Sequence, residues 1–271
     1  MAGDESARVV LDWTPSLPGV DLGNRSGSAA LAMIEPFLQA IGGRSGPVMF
    51  SILGPLTRAL ELAKRAPAPA QLRSLVARIA DSVLAVVARF AEVAPAAPVV
   101  VVLDEPALRR GEHPSHPLPP AVTAPLLAHI GEVVSPVADL GVRVGEGAHL
   151  SSMVGCGVHL LAVPVSSTAT QAPALAAHVA AGGVVAWGAV PVDQPHGVGT
   201  DRLWRRLASA WDDVAAEGVE RAKVRDQAFI CPSGGLESFT LSQAHEVVTL
   251  ADDLGRVART ERPGRRLRIE A

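Results

Sequence analysis

Hydrophobic and polar positions alternate along this chain between two kinds of block. Short runs rich in Val, Ala and Leu end in Gly, Pro, Asp or Ser, and longer amphipathic stretches rich in Ala, Leu and Arg separate them. The short runs are apolar throughout, which is typical of parallel strands covered on both faces. The pattern therefore predicts repeated βα units. The predicted strands are 47–53, 98–103, 141–145, 158–165, 183–190 and 226–231, and the predicted helices are 55–66, 69–94, 120–138, 171–181, 201–218 and 238–256.

This series of units suits one large α/β domain. A chain of 271 residues has the ordinary length of a single eight-stranded α/β barrel, although two smaller domains would also fit. Its 48% hydrophobic and 19% charged residues exclude extended disorder and favour a large aliphatic core. We predict one barrel domain over residues 1–255, irregular at 1–45, followed by a basic and flexible tail at 256–271.

Charge and composition narrow the classes of partner. A formal net charge of -3 and 3% aromatic residues give no basic surface or stacking platform for nucleic acid. The apolar stretch 179–192 is interrupted by Gly and Pro and is too short to cross a membrane. The first residues include two acids and no apolar run, so we expect a cytoplasmic location. Cys156 and Cys231 lack CxxC spacing and are predicted to be small buried hydrophobes.

Four strings at or beside predicted strand ends carry a family resemblance. They are 47–57 (PVMFSILGPLT), 101–111 (VVLDEPALRRG), 184–193 (VVAWGAVPVD) and 230–236 (ICPSGGL). In this order they resemble the catalytic barrel of cobalamin-independent methionine synthases, which shares its fold type with uroporphyrinogen decarboxylase. The resemblance implies the α/β fold class and a TIM-type (β/α) barrel, with its chemistry at the carboxyl ends of the strands.

The same resemblance indicates a shortened barrel. Complete members of the family open with a Gly-Ser-x-Pro strand, whereas 8–19 of this chain already resembles their second strand region. We therefore expect the first βα unit to be missing, which leaves a strand edge without a neighbour. A second copy of the chain, a partner protein or the N-terminal arm is expected to cover that edge.

The zinc ligands of the family are also absent. Family members hold zinc with a His-x-Cys pair, an acid and a further Cys, and the resemblance places Arg143, Gly145, Pro164 and Gly234 at those positions. None of these side chains ligates zinc, and thiol methylation at neutral pH depends on a thiolate. We therefore predict no bound metal, no other cofactor and no homocysteine methylation.

The candidate site residues are the polar side chains that remain near predicted strand ends. The candidate catalytic residues are Asp104, Glu105 and Asp193, and the candidate ligand-binding residues are Arg143, Glu146, Ser233, His113 and His116.

Each of these residues has a structural alternative. The resemblance implies that Asp104 holds the amino group of a substrate, but Asp104 and Glu105 could equally bond loop backbone and cap the strand end. Arg143 would either grip a carboxylate or phosphate or pair with Glu146 or Asp104 and close the old site. The alternative for Ser233 is an ordinary turn, and for the loop histidines it is a solvated surface position.

Two classes of function remain. The first is a methionine synthase-like barrel without zinc ligands, which binds a small anionic or amino-acid-like ligand and has zinc-independent methyltransferase-like activity. The second is a catalytically inactive barrel that acts as a binding or assembly partner. The fold does not choose between them, because function depends on the site.

Overall fold

The computed structural model describes residues 35, 37–62, 68–109, 113, 116–192, 199–236 and 239–260. Within these residues, six strands form one sheet in which every neighbouring pair is parallel and the spatial order follows the chain. The strands are β1 (Val48–Leu53), β2 (Val99–Glu105), β3 (Asp139–Val144), β4 (Leu160–Pro164), β5 (Val184–Val190) and β6 (Ala228–Pro232). The predicted α/β class with parallel strands is confirmed, and this order is compatible with a partial TIM-type barrel.

Helices connect most of the strands. They are α1 (Pro55–Leu62), α2 (Pro69–Val93), α3 (Pro120–Val134), α4 (Thr168–Ala180), α5 (Thr200–Ala216), α6 (Arg221–Asp226) and α7 (Leu241–Thr260), and single 3₁₀ turns occupy Pro106–Leu108, Leu150–Ser152 and Val165–Ser167. The connection from β3 to β4 holds a 3₁₀ turn where the other crossovers hold an α-helix. None of the described helices is long and apolar enough to cross a membrane.

The sheet buries a different set of side chains on each face, because successive residues of a strand point to opposite sides. The outer face packs against the helices; in β2 it carries Val101 and Leu103. The opposite face, here called the inner face, carries a smaller apolar cluster of Met49, Val102, Leu160, Ala162, Ala186 and Cys231. By this alternation, Asp104 and Arg143 lie on the inner face and Glu105 on the outer face.

Hydrophobic periodicity located most of these elements. All six strands lie within two residues of their predicted limits. The amphipathic stretch at 69–94 forms a helix with an apolar stripe that is buried, comprising Leu72, Leu75, Val76, Ile79, Val83, Val86, Val87 and Phe90. Helix α3 ends at Val134 rather than at 138, since Pro136 has no backbone N–H with which to continue the helical hydrogen bonds.

The two ends of the chain lie largely outside this description. Residues 1–34, which include the resemblance at 8–19 and most of the predicted irregular region, are outside the described residues. Helix α7 extends to Thr260, four residues past the predicted start of the basic tail at 256, and 261–271 are outside the description. The missing first βα unit and the covered edge therefore stay predictions.

Candidate functional site

All six strands end at one edge of the sheet, because they run parallel. This edge, here called the carboxyl edge, is formed by the residues at or just after the strand ends, namely Gly54, Asp104, Gly145, Pro164, Val190 and Pro232. These are the positions at which the apolar runs of the sequence stop. The parallel order thus gathers these six positions at one end of the sheet.

An ion pair joins the ends of β2 and β3 on the inner face. Asp104 and Arg143 are direct partners in the parallel register of these strands. Arg143 donates from Nε to Asp104 Oδ1 at 2.9 Å and from Nη2 to Asp104 Oδ2, so the guanidinium grips both carboxylate oxygens. The Arg143 and Asp104 side chains are only 12% and 22% exposed. Of the alternatives for Arg143, the pairing with Asp104 is present.

Glu105, the next residue along β2, has a different role on the outer face. Its side chain is fully buried and accepts hydrogen bonds from the backbone N–H groups of Leu56 at 3.0 Å and Thr57 at 2.6 Å. Both donors lie in the first turn of α1, where backbone N–H groups have no partner inside the helix. Glu105 therefore caps α1 from the neighbouring strand, and this contact supports the capping alternative for this residue.

The Thr57 hydroxyl and the absence of a side chain at Gly54 complete this cap. The Thr57 hydroxyl accepts a hydrogen bond from the backbone N–H of Ala107 at 3.2 Å, so α1 and the turn after β2 bond each other reciprocally. A Cβ atom at Gly54 would overlap the Glu105 carboxyl group. The Gly-Pro-Leu-Thr and Asp-Glu-Pro strings are thus two halves of one contact, and Gly54 is the residue that makes room for it.

The electrostatic environment of Glu105 opposes its ionisation. Burial raises the pKa of Glu105 from 4.5 to about 7, while the hydrogen bonds from Thr57 and from the backbone of Leu56 act in the opposite direction. The negative charge of Asp104 adds a smaller increase to this pKa. A carboxyl group that is closed off from solvent in this way is suited to holding two loops together.

The loop after β3 contributes a second polar contact. Ser166, in the 3₁₀ turn after β4, donates from Oγ to Glu146 Oε1 at 2.6 Å. Arg109, at the end of the 3₁₀ turn after β2, packs against Gly145: a Cβ atom at Gly145 would lie 3.3 Å from its Cβ and 3.5 Å from its Cγ. Glu146 is therefore bonded to the loop after β4.

The remaining candidates are occupied in local contacts. Because a carbonyl oxygen only accepts, His116 donates from Nε2 to the Ala107 carbonyl at 2.8 Å, and its Nδ1 lies 3.2 Å from the backbone N–H of Leu118, which donates to it. His113 is exposed. The Ser233 hydroxyl accepts from the Val192 N–H at 3.3 Å and so ties the ends of β5 and β6 together.

Asp193 lies outside the described residues. Three polar residues of the carboxyl edge were not among the predicted site residues, namely Thr57, Arg109 and Ser166. Thr57 had a sequence signal in the Gly-Pro-Leu-Thr turn. Arg109 and Ser166 had none beyond their position just after a strand.

The residues at the positions matched to zinc ligands do not fit a zinc ion. Arg143 brings a positive charge, and its guanidinium is held by Asp104. Cys231 is buried, and burial raises the pKa of its thiol to about 12, although Arg143 acts in the opposite direction. Among the described residues, no three His, Cys, Asp or Glu side chains are grouped closely enough to hold a metal ion.

A small, half-open cavity with room for about one water molecule lies between the loop after β2 and the 3₁₀ turn at Leu150–Ser152. Its lining consists of Leu108, Leu118, Pro120, Thr123, His149, Ser152 and Met153. It is smaller than the pockets that usually enclose a drug-sized ligand. Asp104 and Arg143 do not line it, so the cavity and the ion pair are separate features.

Comparisons with known proteins give information on the fold. No protein-family model matches the chain, and the search of curated proteins finds no match. The structure is similar to that of a methyltransferase from Methanosarcina mazei, with a TM-score of 0.53 and 15% sequence identity, over 88% of this chain and 67% of that chain. At this identity the similarity concerns the fold alone, and it agrees with a partial TIM-type barrel.

Proposed function

We propose that this chain is a methionine synthase-like barrel protein that binds a small anionic or amino-acid-like ligand at its carboxyl edge. The observation that carries the proposal is the Asp104–Arg143 pair, which sets a carboxylate and a guanidinium side by side at the ends of β2 and β3. The ammonium group of an amino acid carries the charge that complements the Asp104 carboxylate. The family resemblance around Asp104 and the fold of a methyltransferase neighbour support methyltransferase-like activity that does not use zinc.

In this proposal, the residues of the chain bind the ligand and hold each other in the orientation that binding requires. Asp104 would accept hydrogen bonds from an ammonium group, and Arg143 would hold the Asp104 carboxylate in position through two hydrogen bonds. Glu105 fixes the end of β2 from the other face by capping α1. The two adjacent acids thus have different roles: Asp104 faces the ligand, and Glu105 holds the loop.

A binding measurement with matched variants tests this proposal. Calorimetric titration of the wild type with a panel of amino acids and small carboxylates should detect binding that is weakened in Asp104→Asn. Asp81→Asn, on the exposed surface of α2, is the control and should bind as the wild type does. Equal binding by all three proteins would show that Asp104 is not in the site.

The activity is tested separately. Methyl transfer to the amino acids that bind should be measured with a methylated folate and with a sulfonium compound as donors, alongside elemental analysis of the purified protein. We expect no stoichiometric zinc and no methylation of homocysteine. About one zinc per chain would contradict the metal-free prediction.

The second candidate function is that of a catalytically inactive binding or assembly protein. The observation that favours it is that Asp104 and Arg143 already satisfy each other, while Cys231 is held as a neutral thiol. This function predicts that no amino acid or small carboxylate binds, whereas light scattering finds a dimer or a complex with another protein.

A further inference from the structure

Arg109 is placed at the carboxyl edge by a contact that the sequence alone did not indicate. It follows the 3₁₀ turn at Pro106–Leu108, and the Cβ, Cγ and Cδ atoms of its stem lie 3.3, 3.5 and 3.7 Å from where a Cβ atom of Gly145 would be. The stem therefore fills the space that a side chain at position 145 would take. A long side chain held in this way loses less conformational freedom on binding a ligand than one that moves freely.

The two arginines at this edge differ in what their charged groups contact. The Nε and Nη2 groups of Arg143 bond to Asp104, so a ligand that took this guanidinium would have to displace a carboxylate. Arg109 is exposed, and among the residues that the structure describes no Asp or Glu forms an ion pair with it. Glu146, which directly follows Gly145, is bonded by Ser166 instead.

We propose that Arg109, rather than Arg143, binds the carboxylate of the ligand. This inference rests on the proposed function and names the residue and the chemical group that carry its anion recognition. A guanidinium presents parallel N–H donors that match the two oxygens of a carboxylate, and phosphate oxygens offer the same geometry. Arg143 then acts as a positioning residue for Asp104.

Calorimetric titration with L-norleucine and L-norleucinol tests the role of the carboxylate, because the two probes differ only in that group. Inorganic phosphate is titrated in parallel to distinguish the two kinds of anion. The proteins are the wild type, Arg109→Gln, Arg109→Lys and Arg73→Gln, in which Arg73 is an exposed residue of α2. Circular dichroism and thermal unfolding check that each variant is folded.

The expected result is that norleucine binds the wild type more tightly than norleucinol and phosphate do. Arg109→Gln should raise the norleucine Kd at least about tenfold, as loss of a two-point charged hydrogen bond does, and should leave norleucinol unaffected. Arg109→Lys should lie between the wild type and Arg109→Gln, since it keeps the charge but loses the fork. Arg73→Gln should behave as the wild type.

Two results would overturn the inference in distinguishable ways. If the wild type binds norleucine and Arg109→Gln binds it equally well, Arg109 is not the anchor, while the proposed function stands. If neither norleucine nor the rest of the amino-acid and carboxylate panel binds the wild type, the proposed function fails and the inference fails with it. Tighter binding of phosphate than of norleucine, also lost in Arg109→Gln, would overturn the choice of carboxylate.

Discussion

The two halves of the carboxyl edge are held together by different kinds of contact. At the ends of β1, β2 and β3, charged and polar side chains bond across loops, as in the Asp104–Arg143 pair and the Glu105 cap on α1. At the ends of β5 and β6, backbones meet closely: a Cβ atom at Gly188 would lie 2.8 Å from Ser233 Cα and 3.2 Å from the Val163 carbonyl oxygen. Both halves thus require a glycine. Gly54 leaves room for the Glu105 carboxyl group, and Gly188 leaves room for the backbone of Ser233 and Val163.

This difference indicates which half of the carboxyl edge has room for a ligand. The half at β5 and β6, here called the packed half, leaves little space for a ligand because its backbones are in close contact. The half at β1, β2 and β3, here called the polar half, exposes part of Asp104 and part of Arg109. The polar half also depends on a buried acid, so its stability responds to pH and to single substitutions in a way that the packed half does not. The following predictions test this contrast, beginning with the largest effect.

Removing the Glu105 side chain should produce the largest loss of stability. Glu105→Ala leaves the N–H groups of Leu56 and Thr57 buried without their acceptor and opens a cavity, so we expect the free energy of unfolding to fall by about 4 kcal/mol. Urea denaturation measures this change. Glu61→Ala, at an exposed position of the same helix, should cost less than about 0.5 kcal/mol. Similar costs for the two variants would show that the cap is unimportant.

The pH dependence of stability should follow from the same carboxyl group. Because burial raises the pKa of Glu105 from 4.5 to about 7, the folded chain retains a proton at pH values where the unfolded chain has lost it. This contribution is fully present below pH 4.5 and is lost as the pH rises through about 7. The difference corresponds to about 3 kcal/mol.

Urea denaturation at several pH values compares the wild type with Glu105→Gln, which does not titrate. The wild type should lose stability relative to this variant between pH 4.5 and 8. Parallel pH profiles would contradict the raised pKa of Glu105.

Glycine at position 54 should be required for the cap. Gly54→Ala would place a methyl group against the Glu105 carboxyl group and displace it, at an expected cost of about 3 kcal/mol in unfolding free energy. Gly199→Ala is the matched control, because a Cβ atom there meets nothing within 4 Å and the residue lies in front of α5. Because Gly199 is the N-cap of α5, that control should cost about 1 kcal/mol or less. If both variants unfold alike, the space at Gly54 is not limiting.

A substitution in the packed half should lower the free energy of unfolding by an amount that does not depend on pH. Gly188→Ala would bring a methyl group against the backbone of Ser233 and Val163, and we expect a loss of about 2 kcal/mol. Because no titrating group is involved, the loss should be equal at pH 5 and pH 8. A pH-dependent loss would show that the two halves are coupled.

The fold was predictable because its signals are local. The apolar run before Asp104 predicted β2, and the stripe on 69–94 predicted the buried face of α2. The short helix α6 was missed, since six residues with a single buried side chain, Val224, carry no periodicity.

The site was less predictable because its contacts join distant residues. Glu105 and Thr57 are 48 positions apart, and only the sheet order brings them together. Strand periodicity would have separated the roles of Asp104 and Glu105 had β2 been extended to include both acids, because adjacent strand residues face opposite sides. The packing of Arg109 on Gly145 has no sequence signature at all, since it depends on the path of the turn after β2.

The proposed function places the ligand at the polar half of the carboxyl edge. Its most direct test is a ¹H–¹⁵N NMR titration of the isotopically labelled protein with L-norleucine. The claim predicts the largest shifts at Asp104, Arg109, Arg143 and Gly145, with little change at Gly188 and Ser233. Shifts confined to Gly188 and Ser233, or no shifts at millimolar norleucine, would contradict it.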